Sequence, residues 1–283
     1  MGLFTPAEVA KNYIATGKGK AAMPSSKLFL LGILAGAFIA LAGVGASTAS
    51  ALVGNASLAK LVSGLVFPGG LMMVLLAGSE LFTGNCLMVI SLLEREIRAG
   101  QMLRNWVVVY LGNLAGSLIV SAVCVYGGQA GLFSGALAVS ELSTAVTKCS
   151  LSFGDAFLRG VGCNFLVCIA VWISFAAKDV AGKIAGLYFP ILLFVVSGFE
   201  HSVANMYYIS VGLLTKGNAV WAAAAEEAGM DLTALTWGNF FGGNLLPVTL
   251  GNIVGGCAVG LVYWFCYLRN TGEKTPGGAA ARP

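Results

Sequence analysis

Apolar runs long enough to cross the ~30 Å hydrocarbon core of a bilayer recur six times along the chain. They lie at roughly 28 to 53, 61 to 92, 105 to 127, 156 to 177, 184 to 214 and 235 to 268. This pattern predicts an all-α membrane protein with six transmembrane helices. The second, fifth and sixth runs are longer than one straight span needs. The second and fifth each carry a polar string: Gly78-Ser79-Glu80-Leu81-Phe82-Thr83-Gly84-Asn85 and Gly198-Phe199-Glu200-His201-Ser202-Val203-Ala204-Asn205. Both read Gly-x-Glu-x-x-x-small-Asn, so helices 2 and 5 are expected to break into half-helices that face protein or water rather than lipid. A second match, Leu111-Gly112-Asn113-Leu114-Ala115-Gly116 with Leu250-Gly251-Asn252-Ile253-Val254-Gly255, places a GxxxG frame in spans 3 and 6. Three spans per half require the halves to enter the membrane from opposite sides, giving two inverted three-helix repeats.

Composition agrees: 58% hydrophobic against 10% charged residues leaves too little polar surface to cover a soluble globule. The 39 glycines suit close helix approach. Net charge +4 calls for no nucleic acid. Lys and Arg sort by loop into Lys11, Lys18, Lys20, Lys27, Arg95, Arg98, Arg104, Lys178, Lys183, Arg269, Lys274 and Arg282 on one side, and Lys60, Lys148 and Lys216 on the other. Arg159 stands uncounted at a membrane boundary. Twelve against three predicts that both termini are cytoplasmic, in a bacterial-type inner membrane. Residues 1–26 are expected to form an N-terminal cytoplasmic segment. Within it, Thr5-Pro6-Ala7-Glu8 is a capping box opening a short helix. No apolar signal core precedes Lys27, so the first span is expected to act as an uncleaved insertion signal. Residues 27–269 are expected to form the channel domain, and 270–283 a cytoplasmic tail or cloning scar. The seven cysteines form no CxxC pair and read as small buried hydrophobes. Nothing in the chain calls for a metal or other cofactor.

His201 is the only histidine, and an ionisable group inside the membrane is a functional candidate by default. Thr83 offers a hydroxyl in the first break, brought towards His201 by the repeat. Glu80 and Glu200 occupy equivalent places. They either face a pore, binding cations or carrying protons, or take a structural role by accepting from backbone N–H groups freed at the breaks; the structural role is preferred. Asn85, Asn205, Asn113 and Asn252 both donate and accept, suiting them to exposed backbone or to a small solute. Lys148 is the only basic residue in the outer segment from about Gly127 to Asp155. Phe67, Leu81, Phe82 and Phe194 flank the interruptions as candidate apolar constrictions, with simple packing as the competing role.

At Leu81-Phe82-Thr83-Gly84-Asn85, Ser197 to Met206 and Pro247 to Gly256, the chain closely resembles the formate/nitrite transporter family, in segment order from about Lys27 to Arg269. The resemblance implies a homopentamer of aquaporin-like protomers, each with its own pore, a broken second helix with an Ω-shaped loop and a broken fifth helix. It implies that Thr83 sits on that loop opposite His201, that Leu81, Phe194 and Phe67 form constrictions, that Asn252 lines the pore and that Lys148 is the outer-vestibule lysine. The function it implies is passage of small monovalent weak-acid anions, with formate first and nitrite or hydrosulfide equally admissible. Proton coupling through the His201 region and direct pairing of His201 with the anion are both open. A cation, ammonium or neutral-solute channel is the alternative, and a cation or ammonium channel would place Glu80 and Glu200 on the lumen. An enzyme is disfavoured, because one histidine without a partnering cysteine, aspartate or metal offers little to build on.

Overall fold

Fourteen residues at the C-terminal end, 270–283, and Met1 fall outside the part of the chain described by the computed structural model, which covers residues 2–269. The expected tail therefore lies outside the described residues. Thirteen α-helices follow one another there: α1 Pro6–Ala22, α2 Ser25–Ser50, α3 Ala56–Val66, α4 Gly69–Leu76, α5 Phe82–Asn85, α6 Val89–Leu93, α7 Ala99–Tyr126, α8 Ala136–Cys149, α9 Phe153–Ala176, α10 Val180–Val196, α11 Ser202–Lys216, α12 Ala219–Glu227 and α13 Leu246–Tyr267. Five stretches are long and apolar enough to cross a membrane: α2, α3 with α4 (Ala56–Leu76), α7, α9 and Asn239–Tyr267. The fifth expected run is divided between α10 and α11. Neither alone reaches the length of the other spans.

The glycine frames do their work within the chain. In α7, Gly112 packs on the backbone of Phe29 and Gly32 and Gly116 on that of Ile33, so α7 lies directly against α2. In α13, Gly251 meets the carbonyl of Phe157 and Gly255 that of Val161, so α13 lies in the same way against α9. A methyl at any of these glycines would overlap backbone rather than a movable side chain. In lipid, where apolar surface gives no preference for helix over acyl chain, such backbone approach is what holds helices together.

Helix α1 opens with the expected capping box: the Thr5 hydroxyl accepts from the Glu8 N–H and the Glu8 carboxylate accepts from Thr5. It docks under the bundle. Tyr13 donates to the carbonyl of Gly84 at 3.3 Å and meets Phe175 edge-on, Ser91 donates to the carbonyl of Ile14, and Lys18 pairs with Glu96.

Helix α8, outside the five apolar spans, packs on α11. Its Glu141 is 2% exposed, with one oxygen accepting from the Tyr207 hydroxyl at 3.4 Å and the other without a partner. Burial raises its carboxyl from the ordinary 4.5 to about 7, the Tyr207 hydrogen bond opposing. A raised carboxyl stabilises the fold fully below the unfolded value and loses that stability as pH climbs through the folded one. The window is therefore about 4.5 to 7, and the loss across it is roughly 3 kcal/mol. Glu141→Gln is expected to leave the thermal midpoint in detergent nearly unchanged at pH 4 and to raise it at pH 8. A wild-type midpoint that does not fall between those two pH values would show that Glu141 is not buried in this way.

Candidate functional site

Between α4 and α5, and again between α10 and α11, the backbone leaves the helix for a few residues, and one set of hydrogen bonds holds both interruptions. Each starts at a glycine with positive φ, Gly78 at 82° and Gly198 at 69°, where an L side chain would be strained. At the first, Asn113 of α7 donates to the carbonyls of Gly32 and Glu80 at 2.8 and 2.9 Å and accepts from the Phe82 N–H at 3.0 Å. At the second, Asn252 of α13 donates to Gly160 and Glu200 at 2.8 and 3.0 Å and accepts from the Ser202 N–H at 2.9 Å. The Glu80 and Glu200 N–H groups donate to the carbonyls of Leu31 and Arg159. Each asparagine thus satisfies three backbone groups, any of which costs about 1–3 kcal/mol when buried unpaired. Asn252 spends its amide on backbone and borders neither of the cavities described below.

The carboxylates do not accept from freed backbone, as the preferred sequence reading had it. Each instead holds a lysine. Lys20, near the end of α1, donates to Glu80 Oε1 at 2.6 Å, and Lys148, near the end of α8, donates to both Glu200 oxygens at 2.9 and 3.0 Å. Asn85 and Asn205 donate to the same carboxylates at 2.8 and 2.6 Å, and also to Asn105 and Asn244. Asn105 and Asn244 then donate to the backbone carbonyls of Lys20 and Lys148. A π-helical turn over Asn239–Leu245 brings Asn244 into this chain. Such turns accompany functional sites because the widened helix re-aims a side chain.

His201 caps α11. Its Nδ1 accepts the Ala204 N–H at 3.0 Å, and its Nε2 lies 2.9 Å from Thr83 Oγ1. A nitrogen that accepts carries no proton, so the neutral ring holds its proton on Nε2 and donates it to Thr83. The Thr83 hydroxyl hydrogen is left free to donate elsewhere. A second proton could enter only at Nδ1, at the expense of the cap and against the positive end of α11. Asn164 fixes the Thr83 backbone by donating to its carbonyl at 3.2 Å, and donates also to the carbonyl of Asn252.

Two cavities approach this pair and share no lining residue. One, of about 630 Å³, is bordered by Lys148, Glu200, His201, Phe67 and Phe194. The Phe67 and Phe194 rings meet edge-on at 5.6 Å, and Phe194 stacks on His201 at 5.9 Å. The other holds about 60 Å³ and is bordered by Lys20, Tyr13, Asn85, Leu81, Leu71 and Phe175, so α1 closes it. Phe82, a candidate constriction in the sequence, borders neither and packs against Trp106 and Tyr110 of α7. The sequence reading missed Lys20, Asn105, Asn164 and Asn244 as site residues. A signal for three of them was there: Lys20 precedes Gly32 by the same twelve positions that separate Lys148 from Gly160, and Asn105 precedes Asn113 by the same eight that separate Asn244 from Asn252.

The sequence profile of the family "Formate/nitrite transporter" matches residues 7–265. A "Probable formate transporter" of Methanothermobacter thermautotrophicus is 41% identical over 94% of this chain and 97% of its own length. "Formate channel FocA" of Haemophilus influenzae is 42% identical, covering 89% of this chain and 90% of its own. Among solved structures, a "Pentameric formate channel with formate bound" superposes with a TM-score of 0.77 at 37% identity, over 87% of this chain and 98% of its own. With paired helix interruptions, a lysine-held carboxylate at each and a histidine between two cavities, this chain belongs to the formate/nitrite transporter family of multi-pass membrane channels and transporters, and is not an enzyme.

Proposed function

We propose that this protein passes small monovalent weak-acid anions, formate first among them, through a separate pore in each protomer of a homopentamer. The observation that carries the reading is the sequence of environments along one path: a lysine-bearing cavity, an apolar neck with one neutral imidazole, and a second lysine-bearing cavity. Lys148 and Lys20 raise the local anion concentration at the two ends. Between them Phe67, Phe194 and Leu81 remove water, and desolvation disfavours the charged form of whatever enters. A weak acid therefore picks up a proton as it leaves the vestibule, crosses uncharged past the His201–Thr83 pair, and ionises on the far side. The Thr83 hydroxyl is positioned to donate to a carboxylate oxygen in transit. His201, with Nδ1 engaged, acts as a fixed donor to Thr83, and the proton comes from water in the vestibule.

The matched hydrogen bonds at the two interruptions support six spans in two inverted repeats, with helices 2 and 5 broken and residues 27–269 forming the channel. The charge count supports a cytoplasmic location for both termini, with α1 over the inner cavity. The similar formate transporters and channels support formate, and the superposed pentameric formate channel supports a pentamer. The cation or ammonium alternative needs carboxylates free to meet the solute, whereas Glu80 and Glu200 are each engaged by a lysine and an asparagine.

Uptake into proteoliposomes, followed across pH for sodium formate, nitrite, hydrosulfide and acetate with urea and ammonium as controls, tests this. The expected result is passage of the anions, with a pH midpoint that shifts with the strength of each acid. A midpoint common to all four anions would mean that a fixed protein group supplies the proton. Passage of ammonium or urea alone would overturn the reading.

A further inference from the structure

The cavity on the Lys148 side is far larger than a three-heavy-atom anion needs. At about 630 Å³ it falls within the ~300–1,000 Å³ range of sites that enclose drug-sized ligands. Its walls carry three cations, Lys60 of α3, Lys148 of α8 and Arg159 of α9, against one carboxylate, Glu200. Lys148 and Glu200 are already paired. Three cations less one carboxylate leave an excess of two positive charges. Among the described residues Lys60 and Arg159 form no ion pair and no side-chain hydrogen bond. The rest of the polar wall consists largely of hydroxyls, Ser63 and Thr144 among them, which donate to oxyanions without adding charge.

We propose that this vestibule is a docking site for small dianions of the dicarboxylate type, which bind there but do not cross, and so compete with the permeant anion for entry. The binding argument is charge complementarity: two unpaired cations on separate helices suit two carboxylates on one short chain better than they suit a single charge, and the Arg159 guanidinium matches a carboxylate in bidentate fashion. The exclusion argument concerns the Phe67–Phe194 neck. The cost of moving an ion out of water rises with the square of its charge, and a dianion needs two protons rather than one before it can cross uncharged. The vestibule therefore retains what the neck rejects. Competition with entry rests on the anion-permeation reading above, whereas binding does not.

Malonate is the probe, with sulfate as a dianion whose charges cannot spread and gluconate as a bulky monoanion. Two measurements run in parallel: binding of ¹³C-malonate to the purified protein in detergent, and formate influx into right-side-out membrane vesicles with each salt outside at constant ionic strength. The expected result is saturable malonate binding and inhibition that added formate relieves, with gluconate at least about tenfold weaker. In the Lys60→Gln/Arg159→Gln double variant, the half-inhibitory malonate concentration relative to wild type is expected to rise at least about tenfold, whatever the change in basal influx. Sulfate as potent as malonate would overturn the dicarboxylate assignment. Wild-type malonate potency in the double variant, or the absence of both binding and inhibition where formate passes, would overturn the site. If malonate binds in a Lys60- and Arg159-dependent way and no formate passes, the docking site stands and the permeation reading falls.

Discussion

Lys148→Ala is expected to lower formate influx by about two orders of magnitude without unfolding the channel, and Glu200→Gln in the same chain is expected to restore much of it. The ammonium group lies 2.9 and 3.0 Å from the two oxygens of a carboxylate whose side chain is 7% exposed. Removing it takes away a positive charge at the mouth of the neck and uncovers a negative one in the same place. A unit charge about 5 Å from a passing anion, at the effective dielectric of about 20 that suits such sites, is worth roughly 3 kcal/mol, which is about two decades in rate. The double variant removes the uncovered charge while Asn205 keeps an oxygen at residue 200 to donate to. Initial influx and size-exclusion elution, measured on wild type, single and double variants, separate the possibilities. Full influx in the single variant would take Lys148 out of the pathway. Equal loss in single and double variants, both eluting normally, would mean that the lysine's own charge matters and the uncovered carboxylate does not.

Much of this site is visible in the sequence because its cost is concentrated in a few residues. Charged and amide side chains are expensive in lipid, so Glu80, Glu200, Asn113, Asn252 and His201 stand out from their apolar neighbours, and the glycine frames mark where backbone meets backbone. Partnership was harder to read. Glu80 and Glu200 read as acceptors for freed backbone N–H groups, whereas their own N–H groups donate to the carbonyls of Leu31 and Arg159 on other helices and those of Phe82 and Ser202 to Asn113 and Asn252, leaving the carboxylates for the lysines. Lys20 reads in the sequence only as a loop charge, because it lies before the first apolar run and its role depends on α1 folding back under the bundle. Phe82 shows the opposite failure. Beside a break it reads as a constriction, but the turn direction there points its ring into α7, and no periodicity carries that information.

His201→Phe is expected to abolish formate influx, and His201→Asn to retain a measurable, pH-dependent influx. Phenylalanine removes the acceptor for the Ala204 N–H and the donor to Thr83 in one step, and replaces the imidazole stacked on Phe194 by a larger ring with no polar atom. Asparagine is a strong capping residue and keeps both an acceptor and an N–H donor, but it cannot take up a proton in the physiological range. The histidine's geometry is that of a neutral ring with Nδ1 engaged, so a residue that never titrates is expected to serve. The two variants therefore separate plugging and loss of the cap from loss of a proton carrier. Influx in His201→Asn that keeps the wild-type dependence on pH would place the proton source in vestibule water. Influx that persists in His201→Asn but no longer responds to pH would assign the proton to the imidazole, and the neutral-barrier mechanism would have to be given up. Wild-type influx in His201→Phe would remove residue 201 from the pathway, since two lost hydrogen bonds and a bulkier, apolar ring beside Phe194 cannot be silent if the anion passes there.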